Sequence, residues 1–370
     1  MDNKALRVII SGGGTGGHIY PAIAIANELK VRNENTEILF VGANDRMEME
    51  KVPKAGYEIK GLWIAGIQRN LSFKNLMFPF KLLHSLWSAL KIVKRFNPDV
   101  VIGVGGYASG PTLWAGTKRN IPALVQEQNS FAGITNKLLS KKVQRVCVAY
   151  DKMDQYFPKE VIVQTGNPVR KDISNLDLDS KSKGLQFFNL DPNKKTILVI
   201  GGSLGALSIN ESILEMLDDI IANDYQLVWQ TGKYFYPKAQ AVLSQKENSL
   251  IYCSEFIYEM DKAYAVSDVV ISRAGALSIS ELCLVKKPII LVPYPYAAED
   301  HQTKNALSLV EKDAALMVSD QDARANLKRM LFDLLADETI QMKLIKNITP
   351  LGVCDADVRI VNEVYNLINR

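Results

Sequence analysis

Ala5–His18 reads ALRVIISGGGTGGH, and Thr196–Ala206 reads TILVIGGSLGA. Each is a short β-branched run suited to a buried parallel strand, broken by a glycine cluster. A helical pattern follows each: PAIAIANELK after the first, Leu207 to Ile221 after the second. Further apolar runs are VVIGVGG (Val100–Gly106), ALVQEQ (Ala123–Gln128), DVVISRAG (Asp268–Gly275) and PIILVP (Pro288–Pro293), separated by helical pattern. Strand and helix in alternation predict parallel sheets covered on both faces, and two loop-initiated copies predict two doubly wound α/β domains. The join is placed near GNPVRKD, Gly166–Asp172.

Composition agrees with a globular chain. Of 370 residues 47% are hydrophobic and 23% charged, with 44 basic against 40 acidic side chains. That length suits two domains and excludes disorder, collagen and coiled coil. Cys147, Cys253, Cys283 and Cys354 are far apart with no C-x-x-C spacing, which disfavours a zinc cage or disulfide framework and fits a reducing compartment. The few apolar residues before the first glycines are too short for a secretory signal, and Leu82–Leu90 is far below the roughly 20 residues that span a bilayer.

Glycines that open a helix let backbone amides and the positive end of the helix dipole approach an anion, so both loops read as phosphate sites. Gly12, Gly14 and Gly17 satisfy G-x-G-x-x-G, but the ribose-binding acid of a dinucleotide site is missing. ILFV (Ile38–Val41) ends in Gly42, with Asp45 three residues beyond.

The motifs together are more specific than a fold. SGGGTGGHIYPAIAIANEL, NDRMEMEKVPKAGYEI, PDVVIGVGGYASGP, PALVQEQNSFAGITNKLL, GNPVR, VIGGSLGA, SRAGALSISEL and EDHQTKNA follow one another from Arg7 to about Asn305. In that order and spacing the chain resembles the bacterial N-acetylglucosaminyltransferases that convert lipid I to lipid II in peptidoglycan synthesis. The resemblance implies the glycosyltransferase-B fold, two Rossmann-like domains facing across a cleft. It divides the chain into 1–168, on the acceptor and membrane side, 169–350, binding the UDP-sugar, and a terminal helix at 351–370 packing back on the first domain. It also implies inverting transfer from UDP-N-acetylglucosamine to the 4-hydroxyl of the muramoyl sugar on undecaprenyl diphosphate, with no cofactor and no metal. The D-x-D stretches, Asp177–Asp179 and Asp355–Asp357, lie away from the glycine loops and read as solvated acids.

Carried over residue by residue, the resemblance puts Arg170 by the nucleotide, Ser203 on the diphosphate and the Ile257 backbone on the uracil edge. Ala276, Leu277, Ser278, Ile279 and Ser280 form the helix start that suits phosphate. Glu281 accepts the ribose hydroxyls, and Gln302 reads the sugar. Thr15, Gly16, Gly17 and His18 line the cleft floor, Thr15, Gly16 and Gly17 there contacting the UDP-N-acetylglucosamine, and Asn129 reaches the donor sugar. Gly105, Gly106, Tyr107 and Ser109 hold the acceptor diphosphate. His18, one of 3 histidines, stands at the end of a glycine loop, where an imidazole could take the acceptor's proton. It could equally bind diphosphate or cap the helix, and Glu127 is the other candidate base.

From Ile59 to Pro98 there is no acid, while Lys60, Arg69, Lys74, Lys81, Lys91, Lys94 and Arg95 are basic. Within this stretch Phe73, Leu76, Met77, Phe78 and Phe80 are set among lysines, a pattern for contact with an anionic membrane surface. Phe73, Leu76, Met77 and Phe80 are the expected contacts, giving peripheral attachment at the cytoplasmic face of the inner membrane. Leu83, Leu86, Trp87, Leu90 and Val93, at helical spacing, read as a core-facing stripe. No nucleic-acid motif is present. Competing classes are a UDP-sugar epimerase, which needs no lipid acceptor, a dinucleotide oxidoreductase, and a non-catalytic nucleotide-binding module.

Overall fold

The computed structural model describes residues 5–64, 77–173, 176–246 and 250–369. The chain divides into two compact units, Met1–Val169 with Asp355–Arg370, and Arg170–Cys354.

In the first unit seven strands form one parallel sheet: β1 (Arg7–Ser11), β2 (Glu37–Ala43), β3 (Glu58–Leu62), β4 (Val100–Gly103), β5 (Ala123–Glu127), β6 (Arg145–Val148) and β7 (Ile162–Gln164). Their order is β3-β2-β1-β4-β5-β6-β7. Val8, Ile9 and Ile10 of β1 are fully buried because helices cover both faces of the sheet. On one face the Gly16–Arg32 helix packs Ile25 and Leu29 beside Ile360, Val361 and Val364 of the chain's last helix, Ala356–Ile368. The partly buried Arg145–Glu363 ion pair, at 2.8 Å, ties that helix to β6. On the other face lie Ala89 and Val93 of the Phe78–Phe96 helix and Leu113 of the Ser109–Lys118 helix.

The second unit repeats the plan with β8 (Thr196–Ile200), β9 (Gln226–Gln230), β10 (Ile251–Ser254), β11 (Val269–Ser272), β12 (Ile289–Leu291) and β13 (Leu316–Met317), in the parallel order β10-β9-β8-β11-β12-β13. Both sheets reverse direction beside their first strand, at β1/β4 and β8/β11. Open α/β sheets bind ligands at such switch points, beyond the carboxyl ends of the strands. Both glycine loops stand there.

Three expectations need correction. The helical stretch from Leu207 to Ile221 is two helices, Leu207–Glu215 and Leu217–Ala222, broken at Met216 (φ −99°, ψ 7°). Asp357 is buried, not solvated, and Asp355 is half-buried and paired with Arg359, whereas Asp177 and Asp179 are exposed as expected, Asp177 capping the Leu178–Phe188 helix through Ser180 N–H. The supposed core stripe is split: Ser85, Ala89 and Val93 face the core, whereas Leu83 is 66% and Trp87 55% exposed. A turn of helix advances 100° per residue, so residues 83 and 87 share a face that 85 and 89 leave.

Candidate active site

In the first unit the loop after β1 and the loop after β4 are pressed together. Gly13 and Gly14 have φ of +154° and +86°, and Gly105 and Gly106 have +96° and +86°, conformations that a Cβ disfavours. A Cβ on Gly106 would come within 2.4 Å of Gly13 O, and one on Gly12 within 2.1 Å of Val104 Cγ2. The glycines therefore serve the close approach of two backbones.

His18, in the first turn of the Gly16–Arg32 helix, is half-buried at this junction. Its Nδ1 lies 2.9 Å from Gly13 O, and a Cβ on Gly105 would be 2.8 Å from its Cδ2 and Nε2. A carbonyl only accepts, so Nδ1 carries the proton and the neutral ring keeps its lone pair on Nε2. Thr15 precedes the helix as its N-cap residue, without a side-chain cap bond, and is exposed together with Gly17; Gly16 is half-buried. Tyr107 is exposed on the neighbouring loop. Ser109 is buried, its hydroxyl 2.9 Å from Ser11 O and 2.8 Å from Gly105 O, so in this structure it braces the two loops.

Glu127, at the end of β5, is 2% exposed. Its Oε1 accepts Asn129 N–H at 3.0 Å and Asn129 Nδ2 at 3.3 Å; its Oε2 accepts Gly133 N–H at 3.1 Å and Asn136 Nδ2 at 2.8 Å. A carboxylate with both oxygens engaged in this way anchors the loop that carries Asn129. In this structure it braces that loop.

Sequence reasoning missed two features of this unit. Asn167, where the chain leaves the sheet, accepts from Gln126 Nε2 at 2.9 Å and donates to Gln128 O at 2.9 Å, locking the EQN stretch to the GNPVR stretch. The other is Glu48, whose Oε2 accepts the Gly14 N–H at 2.8 Å. One amide of the expected phosphate cradle is thus already taken.

In the second unit Gly202 and Gly205 have φ of +83° and +81°, and a Cβ on Gly205 would lie 2.0 Å from Thr231 O. Ser203 is exposed at the tip of this loop. Gln230, buried at the end of β9, donates to Gly202 O at 3.0 Å and accepts Ile257 N–H at 2.9 Å. The Ile257 amide is therefore occupied, which leaves its carbonyl as the backbone group for a ligand.

The Ala276–Val285 helix begins directly after β11, with Gly275 as N-cap. Ala276, Leu277 and Ser278 present first-turn amides that no helix can satisfy internally. Ile279 and Ser280 differ: Ile279 is buried with its N–H donated to Gly275 O, and Ser280 Oγ donates to Ala276 O, so both serve the helix itself. One turn on, Glu281 has a side chain only 16% exposed, with Oε1 3.5 Å from Arg170 Nε and Oε2 accepting from Tyr264 Oη at 3.1 Å. Burial pushes the Glu281 carboxyl above the ordinary range, against the pull of Arg170 and Tyr264, and burial likewise raises the Tyr264 phenol. Gln302 Oε1 accepts Ala274 N–H at 3.2 Å and Tyr294 N–H at 2.9 Å, so its acceptor half joins the loops after β11 and β12 and its Nε2 is the part left to read a ligand. Arg273 supports the same loops through Val292 O at 3.0 Å and an ion pair with Asp320.

Of the expected membrane contacts, Phe73 and Leu76 lie outside the described residues. Met77 and Phe80 are exposed, and the outward face of their helix continues through Leu83 and Trp87. Trp63 joins it: its ring stands edge-on to His84 at 5.5 Å, Lys81 Nζ is 5.4 Å above it, and Lys91 Nζ is 3.3 Å above Trp87. No helix among the described residues is long and apolar enough to cross a membrane.

Two family models match this chain. "Glycosyltransferase family 28 N-terminal domain" covers residues 8–148 and "Glycosyltransferase family 28 C-terminal domain" covers residues 196–350. A relative from Parabacteroides distasonis, named UDP-N-acetylglucosamine--N-acetylmuramyl-(pentapeptide) pyrophosphoryl-undecaprenol N-acetylglucosamine transferase, is 53% identical over 99% of this chain and 100% of its own. A relative of the same name from Cytophaga hutchinsonii is 54% identical over 100% and 98%. Among solved structures, Acinetobacter baumannii MurG matches with a TM-score of 0.79 at 28% identity, covering 98% of this chain and 99% of that one. A UDP-GlcNAc 2-epimerase from Neisseria meningitidis gives 0.67 at 17% identity over 98% and 100%, a likeness of fold alone. With two Rossmann-like units, the glycosyltransferase-B architecture and both family domains in order along its length, the chain belongs to glycosyltransferase family 28.

Proposed function

We propose that this enzyme transfers N-acetylglucosamine from UDP-N-acetylglucosamine to the 4-hydroxyl of the muramoyl-pentapeptide on undecaprenyl diphosphate, with inversion, forming lipid II from lipid I. The observation that carries this reading is the correspondence, over nearly the whole chain, to relatives named for that transfer. The geometry supplies roles. Glu281, held by Tyr264 beside Arg170, suits the vicinal hydroxyls of a ribose. The first-turn amides of Ala276, Leu277 and Ser278, with the Arg170 guanidinium and the Ser203 hydroxyl, suit the charge that grows on a departing diphosphate. Gln302 offers its Nε2 to the donor sugar; in the first unit Asn129, set by Glu127, carries a side-chain amide that suits sugar hydroxyls. The second unit is thus the nucleotide-sugar side, and the first, with Gly105, Gly106 and Tyr107 beside His18, is the acceptor side.

His18 is the base in this reading. With its proton on Nδ1 directed at Gly13 O, its Nε2 lone pair can take the proton of the acceptor hydroxyl as that oxygen attacks the anomeric carbon and UDP departs. The enzyme works at the cytoplasmic face of the inner membrane, attached through the apolar and basic face of Met77, Phe80, Leu83 and Trp87, with Lys81 and Lys91 toward anionic headgroups.

The test is UDP release and lipid-linked product formation from UDP-N-acetylglucosamine and a short-chain lipid I analogue, with EDTA present and the acceptor omitted as control. Acceptor-dependent product in EDTA is the expected result. Donor isomerisation, or UDP release that ignores the acceptor, would overturn the assignment.

A further inference from the structure

Glu48 opens the short Glu48–Lys54 helix, and its side chain is turned inward beneath the first glycine loop, 1% exposed. Its two oxygens accept backbone amides from two elements: Gly14 N–H at 2.8 Å and, from the end of β2, Ala43 N–H at 3.0 Å. The loop lies directly on it, since a Cβ on Gly13 would be 2.2 Å from the carboxyl carbon. The same Gly13 presents its carbonyl to His18 Nδ1 at 2.9 Å.

A buried carboxylate is costly unless hydrogen-bonded, and such a group is out of place behind an anion site. It opposes any phosphate brought to the loop, and it removes Gly14 N–H from the donors that a phosphate would use. It is well suited to a different task. Fixing Gly14 from below fixes the peptide before it, and with it the direction in which Gly13 C=O points. That carbonyl decides which nitrogen of His18 holds the proton.

Resting on the reading of His18 as the base, we infer that Glu48 is a positioning residue for that reaction. It holds the Gly13–Gly14 turn so that the turn's carbonyl keeps the imidazole protonated on Nδ1 and basic on Nε2. The logic is that of a base oriented by a third group, except that the orienting contact is relayed through backbone.

The test uses the full chain carrying ¹⁵N-histidine, with the His18 signals assigned by their loss in His18→Gln. In the wild type, the neutral His18 ring is expected to show a protonated Nδ1 and an unprotonated Nε2. In Glu48→Gln the carboxamide must turn its NH₂ toward one of the two amides that it should accept. The ring is then expected to populate both tautomers, with kcat down about ten- to hundredfold, as a small misplacement of a reacting group produces. The KM for UDP-N-acetylglucosamine is expected to change by less than about twofold, because donor binding is not involved. Gly13→Ala, which pushes the loop off the carboxylate from the other side, should reproduce the tautomer mixture.

A wild-type proton on Nε2 overturns the inference and needs no variant to fold. So does a Glu48→Gln protein that keeps both the tautomer and kcat while His18→Gln loses turnover; that result leaves the base assignment standing. If instead His18→Gln retains kcat while Glu48→Gln still shifts the tautomer, the structural link stands and the base assignment falls.

Discussion

Tyr264 Oη donates to Glu281 Oε2 at 3.1 Å while Arg170 Nε sits 3.5 Å from the other oxygen, so the carboxylate assigned to the ribose is held from two sides. Removing it in Glu281→Ala should raise the donor KM about ten- to hundredfold, the range for losing hydrogen bonds to a charged group. Initial-rate kinetics at varied donor check this, and an unchanged KM would sink the ribose role.

The same residue fixes a pH dependence. Burial is the largest influence on Glu281 and raises its carboxyl above the ordinary 4.5. Well below that value the group is protonated in both folded and unfolded chains and contributes nothing. As pH rises through 4.5 the unfolded chain ionises first, so stability is lost until the raised folded value is passed, and stays lost above it. Glu281→Gln escapes this. Its Tm relative to wild type should therefore be higher at pH 7 than at pH 4, measured by calorimetry across that range.

Gly105 and Gly106 separate catalysis from folding. A Cβ at Gly105 meets the His18 ring at 2.8 Å, whereas at Gly106 it meets Gly13 O at 2.4 Å. A ring can turn aside and a backbone held on both flanks cannot. Both alanines also incur the cost of positive φ, about 1–3 kcal/mol each. Gly105→Ala should fold and lose about tenfold or more in kcat, and Gly106→Ala should show the larger fall in Tm.

The sequence carried the fold because buried parallel strands are written as continuous β-branched runs, as in RVIIS and TILVI, and because glycines mark the turns beyond them. It carried the glycine loops beyond β1, β4 and β8 for the same reason. It could not tell Glu48 from Asp45 and Glu50, three acids within six residues. What distinguishes Glu48 is that its side chain turns beneath a loop more than thirty residues earlier, a contact of tertiary origin. Gln230 was hidden likewise, as a polar residue ending an apolar strand. The Leu83 to Val93 stripe misled because spacing shows that a helix has an apolar face without showing which of two faces meets the core; small Ser85 and Ala89 face it, and the larger Leu83 and Trp87 do not.

Gln230 links the second glycine loop to the stretch assigned to uracil through Gly202 O and Ile257 N–H. Gln230→Leu keeps the volume and removes both bonds, leaving the buried Ile257 amide without its acceptor at a cost of about 1–3 kcal/mol. UDP affinity should fall by about tenfold, since loop and uracil site then shift independently, while the acceptor KM stays the same. Isothermal titration with UDP measures the first and acceptor kinetics the second.

Phe80 and Trp87 point the same way from one helix, 64% and 55% exposed, with Lys91 capping the Trp87 ring. An exposed aromatic and aliphatic face costs a protein its monodispersity unless something covers it, and in the proposed membrane attachment the acid-free flank would favour an anionic surface. Each lysine near such a surface contributes about 1 kcal/mol, and salt screens that attraction. The Phe80→Ser, Trp87→Ser double variant should bind vesicles containing anionic lipid at least about tenfold more weakly, by sedimentation, because the apolar anchor is lost. Wild-type binding should weaken with added salt. Turnover of a short-chain soluble acceptor should be unaffected in the variant, since neither side chain packs in the core; parallel loss of both activities would instead show that this face stabilises the fold.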